Sequence, residues 1–242
     1  MKLTIKHFYD FQDVADNVGT SLDPNSWDML RLSNPAQDDR FAIPDSISSW
    51  REKILTTSIW HERAKVILNL MQQRFYRLYS YGVGIGGVEF LIKKEAPQVF
   101  LECSDYAPKT VERLREVFKE ADKISQFDML KDEWVNEGSI CLYLFHRIDT
   151  EFNDREWHII FERAAKAGIQ HILFVPSEFL TFRRFIRQKI KLFLYTLLRK
   201  KITFSGYLRT REQFKTFFQE HYEIESIYRI GDLKGFLLKR IN

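Results

Sequence analysis

The run from Tyr79 to Gly87, Tyr-Ser-Tyr-Gly-Val-Gly-Ile-Gly-Gly, constrains this chain more than any other segment. Glycines at 82, 84, 86 and 87 follow an aromatic, strand-like stretch and open an apolar segment, Val88 to Lys94, that reads as a helix. Lacking a Cβ, such a turn can take φ > 0 and lie against a ligand. It ends at a helix N-terminus, whose free N–H groups face whatever is bound. Asp105 stands nineteen residues after Gly86, at the end of a second strand-like run, Gln98 to Ser104. A carboxylate there can accept both hydroxyls of a ribose. Strand, glycine turn, helix, strand and acid form half of a nucleotide-binding α/β fold.

The alternation continues. Strands are expected at Arg77–Tyr81, Gln98–Ser104, Lys123–Phe127, Ser139–Phe145 and Ile169–Val175, with helices at Val88–Glu95, Lys109–Glu120 and Asp154–Lys166. Ser139–Phe145 is almost wholly apolar, as a strand buried on both faces should be. Strands alternating with helices imply parallel βαβ units. The end of the chain breaks this rhythm. Thr210 to Gln213 reads as a capping box opening a helix through Glu220. Tyr222–Ile230 and Gly235–Ile241 then follow, joined by four residues, so they can pair only antiparallel. Residues 1–77 differ: Asn17 to Pro44 is loop-rich, and Ser46 to Arg74 reads as helical with Ile54, Ile59, Ala64, Ile67, Leu68 and Met71 on one stripe. The expected architecture is α/β: a doubly wound, mostly parallel seven-stranded sheet with a C-terminal antiparallel hairpin. Residues 1–77 are expected as a mainly helical extension or cap and 78–242 as the main domain.

Charge is distributed unevenly. The window Phe179–Arg211 holds ten bases and no acid; subtracting these from the net +4 leaves −6 on the rest of the chain. Within it, Thr181 to Lys201 places Phe182, Phe185, Ile186, Ile190, Phe193, Leu194, Leu197 and Leu198 on one stripe, with Arg183, Arg184, Arg187 and Lys191 away from it. This is an amphipathic helix. A lid packing its apolar face over a ligand site is the favoured reading. Peripheral membrane contact through 181–201 is the alternative, and the acidic remainder of the chain argues against a nucleic-acid stripe. Cys103 and Cys141 fall in strands expected to be buried, as core thiols. No metal-ligand spacing is present. No apolar run is long enough to span a bilayer, and Met1–Gly19 lacks the character of a secretory signal. The expected compartment is the cytoplasm.

The glycine spacing is similar to two family patterns. Gly82-x-Gly84-x-Gly86 fits the S-adenosylmethionine (SAM) turn of class I methyltransferases, and Gly82-x-Gly84-x-x-Gly87 fits the dinucleotide fingerprint of NAD(P)-dependent oxidoreductases. The terminal antiparallel hairpin is unlike a standard dehydrogenase sheet. Over roughly 78–242 the chain resembles the class I SAM-dependent methyltransferases. Ser80 to Gly86 looks like the first motif of that family, Asp105 to Pro108 like its second, Gln126 to Met129 like its third, and Ser139–Phe145 with His146 to Asp149 occupies the fourth position. The resemblance implies SAM as cofactor, held by Ser80, Gly82, Gly84, Gly86, Asp105, Tyr106, Asp128 and Met129. There is one departure. The family usually has an acid two residues before the first glycine; here Ser80 stands, able to bond backbone N–H groups but bringing no charge. A methyltransferase fold kept as a binding module without activity is therefore an alternative.

His146 is the candidate for acid/base chemistry, because its reference pKa lies near physiological pH. The competing reading is a hydrogen-bonded histidine at a strand end. Asp149 can orient His146, bind substrate, or cap the following turn. The Asn/Asp-Pro-Pro-aromatic motif used on planar amines is absent after the fourth strand, which favours an oxygen nucleophile. The expected activity is O-methylation of a small molecule, phosphate-bearing or lipid-linked.

Overall fold

A computed structural model describes residues 2–9, 23–32, 41–199 and 202–241. Part of the expected loop over 17–44, and Lys200 and Lys201 of the basic segment, lie outside them. The chain runs β1 (Thr4–Tyr9), α1 (Pro24–Arg31), α2 (Ile47–Thr56), α3 (Ser58–Arg74), β2 (Arg77–Tyr81), α4 (Gly87–Glu95), β3 (Phe100–Asp105) and α5 (Pro108–Val117). It continues through β4 (Lys123–Gln126), β5 (Cys141–His146), α6 (Asp154–Lys166), β6 (His171–Val175), α7 (Phe182–Leu197), β7 (Thr203–Arg209), α8 (Arg211–Phe218), β8 (Tyr222–Ile230) and β9 (Leu233–Arg240).

Seven strands form one sheet in the order β4-β3-β2-β5-β6-β9-β8. The first five are parallel; β9 runs antiparallel to β6 and pairs with β8 as the terminal hairpin. The turn of that hairpin is tighter than expected, because Leu233 and Lys234 already belong to β9. Alternate side chains of each central strand point to opposite faces. Leu78, Leu142 and Leu144 join a cluster with Trp50, Ile67 and Ile92 from α2, α3 and α4. Tyr81, Tyr143 and Phe145 join the aromatic cluster of Trp157, Phe161 and Phe214 from α6 and α8. The two sets show why β5 reads as a continuous apolar run: it has no solvent face. Cys103 and Cys141 are free, buried thiols within this core.

Two features depart from the expected plan. Residues 4–9 are a strand, not part of a helical extension, and β1 pairs antiparallel with β7 in a separate two-stranded sheet. The basic window therefore holds, after the expected helix α7, a strand that the sequence reading did not include. Among its bases, Arg209 is fully buried, donating to Asp154 Oδ1 at 2.8 Å and to the Asp149 carbonyl at 2.7 Å. No helix among the described residues is long and apolar enough to cross a membrane.

Candidate cofactor-binding cleft

The glycine turn leaves β2 at the C-terminal edge of the sheet, beside the ends of β3 and β5. Gly82 and Gly84 have φ of 65° and 56°. A Cβ on Gly82 would stand 2.3 Å from Ile148 Cγ2, and one on Gly84 2.6 Å from the Arg31 guanidinium. Both conformation and space therefore demand glycine here. The turn is pinned from below. The N–H groups of Gly82 and Val83 donate to the Ser104 carbonyl at 2.8 and 3.2 Å. The Gly84 N–H donates to Asp105 Oδ2 at 3.0 Å, while Asp105 Oδ1 accepts from the Ala107 N–H at 3.1 Å. One carboxylate thus joins the first turn to the second. Burial pushes the Asp105 carboxyl above its usual range; the Ala107 N–H, Arg31 and the Gly84 N–H oppose this.

Two adjoining lobes open above the turn. The glycine lobe, about 270 Å³, is lined by the turn itself with Glu89, Arg63, His146 and Arg147. The acid lobe, about 370 Å³, is lined by Asp105, Tyr106, Asp128, Met129 and Ile148. Trp27, Arg31, Gly82, Arg147 and Glu151 line both. The Arg31 guanidinium lies 4.9 Å from the Trp27 ring centroid and donates to the Phe41 carbonyl at 3.2 Å. Burial lowers its pKa, with Asp105 and then Glu151 as the opposing charges. Glu151 accepts from Trp27 Nε1 at 2.9 Å. Burial pushes its carboxyl up to about 7, the Trp27 bond opposing and the Asp105 charge adding.

Helix α1 carries Trp27 and Arg31 over the cleft because Asp28 anchors it. Asp28 Oδ1 accepts from the Thr110 N–H at 2.7 Å and its hydroxyl at 2.9 Å, and Oδ2 accepts from the Lys109 N–H at 3.1 Å. Ala107, the residue preceding α5, offers no side-chain cap of its own. A helix remote in sequence supplies the cap that α5 lacks.

Eight of the ten sequence-predicted site residues line the two lobes: the three glycines, Asp105, Tyr106, Asp128, Met129 and His146. His146 ends β5, half-buried, and its Nε2 has no hydrogen-bond partner among the described residues. Burial, then Arg63 and Arg147, hold its pKa well below the usual value, so the ring is neutral at neutral pH. Asp128 is committed locally: it accepts from the Leu130 N–H at 3.0 Å and Lys131 Nζ at 2.8 Å. Burial would raise its pKa, but Lys131 and the Leu130 N–H hold it below the usual range.

Ser80 and Asp149 are not at the cleft. The Ser80 hydroxyl does not bond backbone N–H groups; it donates to Glu89 Oε1 at 2.7 Å behind the turn. Asp149 is fully buried, accepts the Ser177 N–H at 2.6 Å and joins the loop after β5 to the loop after β6. It is not among the charges acting on His146.

The residues that sequence reading missed are Glu89, Arg31, Arg63, Arg147 and Glu151. Glu89 carried a signal: it is the one acid inside the apolar run Val88 to Ile92. Arg31 carried none, because it reaches the cleft from a helix that no motif connects to it.

No protein-family model and no curated protein matches the sequence. Solved structures do match. PigF, solved with SAH, aligns at a TM-score of 0.60 and 12% identity over 88% of this chain and 62% of its own. The pyocyanin biosynthetic protein PhzM aligns at 0.56 and 15% identity over 75% and 55%. Human N-acetylserotonin methyltransferase, solved with SAM, aligns at 0.54 and 20% identity over 86% and 60%. This chain thus spans little more than half the length of these proteins. Its fold is that of the class I SAM-dependent methyltransferases.

Proposed function

We propose that this protein binds SAM in the two-lobed cleft and transfers its methyl group to an oxygen of a small molecule. The observation that carries this reading is the glycine turn, held by Asp105, opening into a lobe that His146 also lines. The cleft chemistry fits the cofactor. Glu89, Glu151 and Asp105 supply negative charge for its cationic groups, Arg31 supplies a cation for its carboxylate, and Tyr106 and Met129 offer apolar surface in the acid lobe for a base. SAM supplies an activated methyl on a sulfonium, so the protein must orient an acceptor and exclude water.

His146 is the general base of this reading. A neutral imidazole has a lone pair for a hydroxyl proton, and Arg147 beside it favours the developing oxyanion of the acceptor, while Arg63 is ion-paired with Asp232 at 2.8 Å. Arg147 also fits an acceptor bearing phosphate or carboxylate. Helix α1 acts as the cover of the cleft, carrying Trp27 and Arg31 on its walls. Calorimetric titration with S-adenosylhomocysteine tests the cofactor assignment: binding is expected, and is expected to weaken at least tenfold in Arg31→Ala. No heat and no thermal shift at millimolar ligand rejects it. NADH titration by fluorescence separates the oxidoreductase alternative.

A further inference from the structure

Helix α7 does not sit as a lid should. A lid turns its apolar stripe onto the protein. Here Phe182, Ile186, Ile190, Phe193 and Leu197 are 76, 43, 55, 67 and 67% exposed, and no residue of the helix is buried. At 3.6 residues per turn these five side chains fall within an arc of about 80°. The opposite side is the one that meets the protein: Phe185, Leu192 and Tyr195 share a space of about 540 Å³ with Leu3, Ile5 and Phe8 of the β1 segment. The stripe read from sequence as one face is therefore two, one turned to β1 and one turned to solvent.

The outward face has a specific charge pattern. The same helical geometry puts Arg183 and Arg187 on one flank of the stripe and Lys189 on the other. No acid occurs from Phe179 to Arg211, while the rest of the chain carries −6. An apolar stripe with cations along both edges is what an interfacial helix needs: the stripe enters the acyl boundary and the cations stay among the headgroups.

We propose that α7 docks this protein on an anionic bilayer surface. Charge complementarity selects that occupant. A second copy meeting this face across a two-fold axis would bring Arg183, Arg187 and Lys189 against their own counterparts, with no acid in the window to offset them. A nucleic acid would engage the cations but leave five large apolar side chains in water. The docking helix adjoins the cleft: Ser177 and Glu178, which lead into α7, line the glycine lobe, and Glu178 pairs with Arg184 of the helix. This docking is independent of the reaction proposed above.

The test is co-sedimentation of the full chain with phosphatidylcholine vesicles, with and without phosphatidylserine. Binding is expected only with phosphatidylserine and is expected to weaken with salt. Arg183→Glu with Arg187→Glu and Lys189→Glu should reduce partitioning on the order of a hundredfold or more, since each near-surface cation contributes about a factor of five. Phe182→Ser with Phe193→Ser and Leu197→Ser should abolish it while leaving the circular dichroism spectrum and unfolding midpoint unchanged, because these side chains are exposed. A Phe193→Trp probe should shift its emission to the blue on anionic vesicles. Failure to bind anionic vesicles at low salt, or equal binding by either triple variant, overturns the proposal. So does a vesicle-free dimer that dissociates in the serine variant, which would assign the stripe to a second copy.

Discussion

The Ser80 hydroxyl donates to Glu89 Oε1 at 2.7 Å, both side chains being almost fully buried behind the glycine turn. A carboxyl group is therefore present beside position 80, supplied from the first turn of α4 and bonded by the serine hydroxyl. Burial pushes the Glu89 carboxyl above its usual range and the Ser80 bond pulls it back. Ser80→Ala leaves the carboxylate without that donor and should cost about 1–3 kcal/mol in urea unfolding. Glu89→Gln keeps a hydrogen-bond partner and removes a buried charge, so its stability should match or exceed the parent while its affinity for SAM falls. A variant with parental affinity would exclude Glu89 from the cofactor site.

Glu151 should make cofactor affinity depend on pH. Its folded-state pKa of about 7 exceeds its ordinary value of 4.5. Between those values the folded protein holds a proton that the unfolded chain has lost. This contribution to stability is complete below about 4.5 and is lost as pH rises through 7. Binding a cation has the opposite sign, because it favours the ionised form. SAM affinity should therefore rise from pH 6 to 8, and Glu151→Gln should flatten both curves, measured by calorimetry and by unfolding across that range.

The lowered pKa of His146 fixes where an acid limb can appear. The ring is already neutral at its reference value of 6.5, so at saturating SAM kcat/KM for the acceptor should not decline with acidity until below about pH 6.5. His146→Gln should lower turnover by about 10²–10⁴-fold without changing affinity for S-adenosylhomocysteine. Full turnover in that variant removes the base assignment.

Gly84→Ala tests the turn itself. At φ of 56° an L side chain is strained, and its Cβ would meet the Arg31 guanidinium at 2.6 Å. The left-handed backbone alone costs about 1–2 kcal/mol, and Arg31 must leave its place over Trp27. The expected result is lower thermal stability together with loss of S-adenosylhomocysteine binding. Arg31→Ala in the same background should restore part of the stability but none of the binding.

What was legible in the sequence follows the range of the interactions. The central strands could be read because β5 and β6 bury both faces and so carry unbroken apolar runs, and the glycine turn because its φ values exclude other residues. β1 could not: Thr4 to Tyr9 contains Lys6 and His7, and its partner β7 lies nearly two hundred residues away inside a window dominated by its charge. In the site, contributions made at strand ends were visible, since strand order fixes where Asp105 and His146 emerge. Those made by separate helices were not. Nothing near Arg31 in sequence announces Gly84, and nothing near Asp149 announces Ser177, the group that claims it.

The anchoring of α1 has a kinetic meaning. Trp27 and Arg31 cover the cleft, but what holds their helix down is the carboxylate of Asp28 on the first N–H groups of α5, and Asp28 lines neither lobe. If α1 lifts to release a bound molecule, those three hydrogen bonds must break first. Asp28 would then bear on residence time with no contact of its own to the cleft. The same lifting would free the second strand-to-helix turn, beside Asp105, so roof and acid wall would open in one movement.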